Sequence, residues 1–145
     1  MNKILPVLLF ISILVSPMAS AFAFSNGQAA SAVIGQPDFT TVTSGTGTSK
    51  TNFPEGTAFD SAGNFWLGDC GNNRVLKFAA PLSTGMAASV VIGQPDFTTV
   101  TSGSGTSKMF CPTGLKFDSA GNLWVADTSN HRVLKFAAPL TTGMA

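Results

Sequence analysis

The sequence has 145 residues, with 8 Lys or Arg against 7 Asp or Glu and a formal net charge of +1. Nucleic-acid binding requires a concentrated basic face that displaces counterions from phosphates. Scattered basic residues that are offset by almost as many acidic ones do not form such a face. One histidine, two cysteines and no tyrosine leave few groups for acid–base catalysis or a zinc site. We therefore expect a non-catalytic protein that uses no cofactor and no metal and binds no nucleic acid.

The N-terminus has the features of a secretory signal peptide. Lys3 precedes an apolar run at residues 4–15, and small residues follow. About a dozen apolar residues is short of the ~20 needed to span a bilayer. The sequence Ala21-Phe22-Ala23 fits a cleavage site after residue 23, with cleavage after Ala21 as the second option. We predict a secreted or cell-envelope protein without a membrane segment; the alternative is an uncleaved anchor.

The rest of the sequence consists of two tandem copies of one repeat. Residues 33–87 align without a gap with residues 91–145 at a spacing of 58, and 41 of the 55 aligned positions are identical. We predict two structural units, residues 24–90 and residues 91–145. Each unit has short apolar runs separated by turns rich in Asp, Asn and Gly, which is typical of an antiparallel β-meander.

The strands can be placed in chain order within each unit. The first unit begins with a short Val-Ile-Gly strand at residues 33–35, and the equivalent strand of the second unit lies at residues 90–93. Three further strands per unit are predicted at residues 57–60, 65–68 and 74–78, and at residues 114–118, 123–126 and 132–136. Apolar and β-branched residues dominate these segments, and turn residues bound them.

The second unit resembles the NHL repeat, a blade module of β-propellers. The resemblance rests on the pattern Pro112-x-Gly114-x-x-Phe117-Asp118-x-x-Gly121-Asn122-x-Trp124-Val125-Ala126-Asp127-x-x-Asn130-His131-Arg132-Val133. The first unit matches at Pro54, Gly56, Asp60, Gly63, Asn64, Asp69, Asn72 and Arg74, and it departs at Gly68, Cys70 and Asn73. The resemblance implies an all-β fold in which each unit is a propeller blade of four antiparallel strands, with the Val-Ile-Gly strands outermost.

Two blades are too few to close a propeller, which takes about four to eight. In this arrangement, the strand at residues 90–93 would complete the first blade, the strand at residues 33–35 would have no blade to complete, and the second blade would lack its outer strand. We therefore expect either a fragment of a larger propeller or a homo-oligomeric ring, with a trimer giving six blades and a tetramer eight.

Each unit carries the sequence D-x-x-N-x-R at the turn before its third strand. The residues are Asp69, Asn72 and Arg74 in the first unit and Asp127, Asn130 and Arg132 in the second. We predict a structural role, in which the carboxylate accepts turn amides and the guanidinium binds carbonyls or the neighbouring blade. His131, in the same turn, is interpreted as structural too.

Two other pairs of residues admit a second reading. Trp66 and Trp124 lie in the middle of second strands, so we predict that they pack between blades; sugar-stacking platforms are the alternative. Asp60 and Asp118 lie in turns, and we predict that they stabilise these turns. The alternative is that, together with turn carbonyl groups, they bind calcium. Calcium takes six or more oxygen ligands, and the sequence shows no such density of acids.

Cys70 and Cys111 are the two cysteines of the sequence, one in each unit. An even count in an exported protein favours a disulfide. In an up-and-down blade, the connection that carries Cys70 and the one that carries Cys111 emerge at the same end. We predict a bridge between adjacent blades, with two free buried thiols as the alternative.

A loop rich in Ser, Thr and Gly precedes the inner strand of each unit, at residues 36–52 and 94–110. Its candidate ligand residues are Gln36, Asp38, Phe39, Gln94, Asp96 and Phe97. The alternative is a surface loop pinned to the sheet by its phenylalanine. We predict a scaffold that binds a protein partner through the loop-bearing face. A glycan-binding oligomer, or a fragment of a propeller enzyme whose catalytic residues lie outside this chain, are the alternatives.

Overall fold

The computed structural model describes residues 24–144 and contains two antiparallel sheets, one in each repeat. The first sheet consists of β1 (Pro54–Phe59), β2 (Phe65–Asp69), β3 (Arg74–Phe78) and β4 (Val90–Ile92), and the second of β5 (Pro112–Phe117), β6 (Leu123–Asp127) and β7 (Arg132–Phe136). Within each sheet, strands follow one another in chain order. The predicted all-β meander is confirmed. The unit boundary expected after residue 90 falls within β4, which completes the first sheet.

Tight turns join the first two strands of each sheet. In the first turn, the Asp60 carboxylate accepts hydrogen bonds from the backbone N–H groups of Ala62 and Asn64, both at 3.0 Å. Gly63 has a φ of 79°, a left-handed conformation that glycine adopts without steric cost. The second turn, at residues 118–122, repeats the same bonds. The Asp and Gly of each turn therefore fix it by local chemistry.

A single turn of 3₁₀ helix joins the second strand to the third in each sheet. These turns span Cys70–Asn72 and Thr128–Asn130. Each is followed by a residue in the left-handed conformation, Asn73 with φ 53° and His131 with φ 55°. Asn and His are enriched among the non-glycine residues that adopt this conformation. His131 therefore holds a backbone position that the turn requires.

The two sheets pack against each other along their inner strands, β1 and β5. Gly56 of β1 lies so close to the backbone of Thr113 that an added Cβ would overlap the carbonyl oxygen. Behind these strands lies the junction cluster, formed by Trp66, Val75 and Ile92 of the first sheet with Met109, Leu123, Val125 and Phe136 of the second repeat. Because alternate residues of a strand point to opposite faces, a separate first-repeat cluster forms from Leu67, Leu76, Phe78, Ala88 and Val91.

Residues 33–35 form no strand, contrary to the prediction. The equivalent strand, β4, pairs with β3, and the described residues contain no third strand of a preceding blade for residues 33–35 to join. The segment nevertheless keeps the same contacts on its other side. Gly85 N donates to Val33 O at 3.2 Å, as Gly143 N donates to Val91 O at 3.2 Å.

Trp124 is exposed, contrary to the prediction that both tryptophans pack between blades. Trp66 is 1% exposed because the second sheet covers it, whereas Trp124 is 41% exposed. The described residues contain no third sheet that would cover Trp124. The prediction therefore holds for the junction inside the chain and fails at the outer face of the second sheet.

The signal peptide predicted at residues 1–23 lies outside the described residues. Within residues 24–144, no helix is long and apolar enough to cross a bilayer.

Candidate binding surfaces

The strands of both sheets end at two opposite surfaces. Loops 36–52 and 94–110 lie where the second strand of each sheet meets the third, and we call this surface the loop face. The turns at residues 60–64 and 118–122 lie at the other end of the strands, and we call that surface the hairpin face.

A buried ion pair anchors the first loop to the first sheet. Arg74 Nε lies 2.7 Å from Asp69 Oδ2, and both side chains are fully buried. Asn72 Nδ2 donates to the same oxygen at 2.9 Å and to Gly45 O at 2.8 Å, and Arg74 Nη2 donates to Lys50 O at 3.1 Å. Buried charges persist when they are paired and hydrogen-bonded. These contacts therefore fix the backbone of the loop.

The second repeat has the same network with one difference. Arg132 Nε lies 2.7 Å from Asp127 Oδ2, and Asn130 Nδ2 donates to that oxygen at 2.8 Å. The Arg132 side chain is 30% exposed, and its Nη1 donates to a carbonyl of its own loop. Arg74 Nη1 instead donates to Phe97 O, which belongs to the following loop. The structure thus places all six predicted turn residues in loop anchoring, and Arg74 also links the two loops. The carboxylates of Asp69 and Asp127 accept the backbone N–H groups of Asn52 and Phe110 in the loops, and not the turn amides that were predicted.

The acidic residues predicted as ligand groups are used inside the loops. Asp38 Oδ1 accepts the backbone N–H of Thr41 at 2.7 Å and that of Thr40 at 2.8 Å. Those backbone bonds and bonds from both threonine hydroxyls, the Thr41 N–H foremost, lower the pKa of Asp38 to about 2. Asp96 has the equivalent contacts, and its pKa is also lowered to about 2. Each carboxylate therefore stabilises its own loop as an anion.

The other candidate ligand residues differ between the two loops. Gln94 is buried, and its Nε2 donates to Asn73 O at 2.9 Å. Phe97 packs against the first-repeat cluster. Both residues therefore contribute to packing between repeats, in keeping with the pinned-loop alternative. Phe39 is 55% exposed, since residues 24–144 contain no preceding blade that covers it. Gln36 Nε2 donates to Thr43 O of its own loop.

Cys70 and Cys111 form the predicted disulfide. It links the 3₁₀ turn of the first sheet to the residue before β5, so it joins the two repeats at the loop face. Asn73 Oδ1 accepts the Cys111 N–H at 3.0 Å beside it. Glu55 lies next to both sulfurs, but bridged sulfurs are not the thiolates that ligate metals. The bridge fits an oxidising compartment.

A pocket of about 490 Å³ opens at the hairpin face between the two repeats. Its lining includes Asp60, Ser61, Trp66, Lys77, Phe117, Asp118, Ser119 and Leu140. The Trp66 ring meets the Phe117 ring edge-on at 5.5 Å, and Lys77 Nζ lies 5.6 Å from the Trp66 ring centroid. Lys77 and Phe117 were not among the site residues predicted from the sequence. In both sheets, a Lys residue on the third strand lies directly opposite the Trp residue on the second strand. This repeated pairing of Trp with Lys is the sequence signal that could have identified Lys77.

The two acidic residues of the pocket are surrounded by N–H donors. Asp60 Oδ2 accepts the Trp66 indole N–H at 3.0 Å, and Asp118 accepts that of Trp124 at the same distance. Burial raises the pKa of Asp60, but hydrogen bonds from Trp66 and Asn64 outweigh it and lower the pKa overall. The bond from Trp124 is the main cause of the low pKa of Asp118. Carboxylates so occupied differ from the oxygen-lined sites that calcium prefers.

The fold and the junction together define a class of protein. The packing of two antiparallel meanders through their first strands, β1 and β5, is the arrangement of neighbouring blades in a β-propeller. The family profile of the NHL repeat matches residues 51–78 and 111–136. The chain therefore contains two NHL repeats, which confirms the predicted resemblance and indicates a propeller-type scaffold. No curated protein matches the chain significantly.

Proposed function

We propose that the protein is an exported, non-catalytic scaffold that binds a protein partner through its loop face. The observation that carries this proposal is the matched anchoring of both loops by Asp, Asn and Arg side chains, with an ion pair that is fully buried in the first repeat and partly exposed at Arg132 in the second. The loops also bond to each other, since Gly47 N donates to Phe97 O at 2.9 Å. Loops held in this way lose little conformational entropy on binding, and a rigid scaffold commonly carries its binding residues on loops.

The exposed part of the loop face has a composition suited to protein recognition. Val42 is 88% exposed, and the hydroxyl residues Thr40, Thr43 and Ser44 surround it in the sequence. Apolar side chains ringed by polar groups are the usual anatomy of a protein interface. The low charge of the protein favours contacts of shape and hydrogen bonding over electrostatic attraction.

Export is supported by the predicted signal sequence and by the Cys70–Cys111 bridge, because disulfides persist in oxidising compartments. The proposed lack of catalysis is supported by the position of His131. It is the one histidine of the sequence, and its left-handed backbone serves the second 3₁₀ turn. The sequence therefore offers no histidine for a general base elsewhere.

Paired arginine substitutions on the two faces test this function. Ser44→Arg with Ser102→Arg places bulky side chains on exposed positions of the loop face, and Ser61→Arg with Ser119→Arg does so on the hairpin face. A partner captured from the extracellular fraction is then purified, and its affinity for each form is measured by calorimetry. We expect the loop-face variant to bind at least tenfold more weakly and the hairpin-face variant to bind like the wild type. Loss of binding only in the hairpin-face variant would contradict the proposal.

Glycan binding in the pocket between the repeats is the second candidate function. The favourable observation is the pocket itself, which combines the Phe117 ring and Lys77 with the hydroxyl groups of Ser61 and Ser119. Buried Trp66 lies too deep to act as a stacking platform itself. Binding to an immobilised glycan panel that is lost in the hairpin-face variant and kept in the loop-face variant would favour this candidate over the first.

A further inference from the structure

The junction between the two repeats shows how one sheet of this chain packs on the next. The faces of the two sheets that point away from the junction carry residues equivalent to those in this contact. At the junction, Trp66 and Val75 of the first sheet are 1% and 0% exposed because the second sheet covers them. Phe117 of the second sheet packs edge-on against Trp66. These residues show which side chains of an NHL-type sheet contact the next sheet, and on which of its two faces.

The residues 58 positions away are among the exposed apolar residues of the part of the chain that the structure describes. Trp124 and Val133, the equivalents of Trp66 and Val75, are 41% and 63% exposed on the second sheet. We call this the trailing face. Phe59, the equivalent of Phe117, is 61% exposed on the first sheet. With the exposed side chains of Phe39 and Phe53 it forms the leading face. The two faces carry the two halves of the contact seen at the junction.

The backbone also supplies the two halves of a strand pairing. At the junction, β4 pairs with β3, placing Val91 opposite Leu76. The outer edge of β7 has no partner strand within residues 24–144, and an unpaired edge is a template for another chain. Residues 32–34, the equivalents of β4, form no strand but already bond to the turn at Gly85 as Val91 bonds to Gly143.

We propose that the trailing face binds the leading face of a second copy of this chain in the geometry of the internal junction. In this contact Trp124 packs on Phe59 of the second copy, and residues 32–34 of that copy pair with β7. The contact is heterologous, since each copy offers a different face, and a heterologous contact closes into a ring when the rotation allows it. Three copies give six blades and four give eight, within the range of propellers.

Each new contact would also build a second pocket of the kind described at the hairpin face. Trp124, with Lys135 5.5 Å from its ring centroid, would face the Phe59 to Ser61 segment of the neighbouring copy. The assembly would therefore repeat the pocket at every junction, whichever ligand class the protein binds.

Single substitutions of exposed residues test the two faces separately. Trp124→Asp disables the trailing face and Phe59→Asp the leading face, and the exposure of both side chains means that the monomer should keep its circular dichroism. By sedimentation velocity we expect the wild type at three or four times the monomer mass and each variant alone as a monomer. An equimolar mixture of the two variants should form dimers only, because one intact leading face and one intact trailing face remain. Ser102→Arg, on the loop face, is the matched control and should assemble like the wild type.

Two outcomes would overturn the proposal. A monomeric wild type at high concentration would show that the faces do not bind each other. A Phe59→Asp variant that still assembles, beside a monomeric Trp124→Asp, would show that trailing faces bind each other instead.

Engineered cysteines give an independent test of the geometry. Thr128 and Phe53 occupy the positions equivalent to Cys70 and Cys111, and Phe53 shares the left-handed backbone of Cys111, with φ 49° and 54°. Thr128→Cys combined with Phe53→Cys should therefore form disulfides between copies. We expect a ladder of linked copies on a non-reducing gel that collapses to the monomer on reduction. Only monomer, with two free thiols, would contradict the proposed geometry.

Discussion

The two arginines of the D-x-x-N-x-R turns form a matched pair for measuring what burial adds to one contact. Arg74 and Arg132 make the same bond to their aspartates, 2.7 Å in each case, but Arg74 is fully buried and Arg132 is 30% exposed. Substitution with Met keeps most of the side-chain volume and removes the guanidinium. Arg74→Met then leaves Asp69 as a buried, unpaired carboxylate, together with unpaired carbonyls of two loops.

The magnitudes follow from these surroundings. Breaking a buried ion pair by removing one partner costs about 3–5 kcal/mol, so we expect that loss in the free energy of unfolding for Arg74→Met. For Arg132→Met, the Asp127 side chain is as buried as Asp69, but water reaches the arginine side of the pair. We therefore expect a smaller cost, that of unpaired polar groups, about 1–3 kcal/mol. With an m-value of about 2 kcal/mol/M, the urea midpoints should fall by about 2 M and about 1 M respectively.

The assay is urea unfolding followed by tryptophan fluorescence. It is run at one protein concentration in the Phe59→Asp background, because assembly would make the midpoint depend on concentration. Adding Asp69→Asn to Arg74→Met removes the unpaired charge and should recover part of the loss. Equal losses for Arg74→Met and Arg132→Met, or no recovery in the double variant, would refute the argument that burial sets the magnitude.

Two further measurements test the junction and the turns. Cys111→Ser should lower the free energy of unfolding by about 4 kcal/mol, because the bridge closes a loop of 41 residues and restricts the unfolded chain. A reducing agent should lower the free energy of unfolding of the wild type by the same amount and leave that of the variant unchanged. Asp60 and Asp118 have lower pKa values folded than unfolded. Their contribution is therefore complete above about pH 5 and is lost as pH falls toward their folded pKa values. Urea midpoints should drop between pH 5 and pH 2, less steeply in Asp60→Asn with Asp118→Asn, and an equally steep drop would argue against these two carboxyls.

The sequence was sufficient to predict the features that depend on local chemistry. The strand order follows from Asp-x-x-Gly-Asn turns that close through their own side chains, as at Asp60. The pairing of Cys70 with Cys111 followed from the ends of the strands at which their connections emerge. These features recur within one repeat or between two consecutive repeats, so the pattern contains all the residues that determine them.

The features that were predicted wrongly depend on whether another repeat packs against the residue, which the local sequence does not reveal. Trp124 and residues 33–35 occupy positions equivalent to Trp66 and β4, yet within residues 24–144 only Trp66 and β4 have an adjacent repeat to pack on. The pocket was missed for a related reason, because Lys77 and Phe117 come from different repeats and meet only across the junction. Identity between repeats predicts the turns and the three paired strands of each meander. It does not predict which of two equivalent residues is covered, or whether residues 33–35 pair as a strand.

The Cys70–Cys111 bridge has a consequence for how such a chain folds. Near-identical repeats can pair in the wrong order or exchange between chains while folding, because each presents nearly the same surface. The two cysteines lie at non-equivalent positions of the repeat, so they meet only where the trailing side of a first repeat contacts the leading side of a second. Formation of the disulfide therefore fixes the second repeat permanently on the trailing side of the first. In the proposed assembly, the junction beside Thr128 and Phe53 would have no such bond and could separate and form again, so the covalently linked pair of blades would be the unit that is exchanged between assemblies.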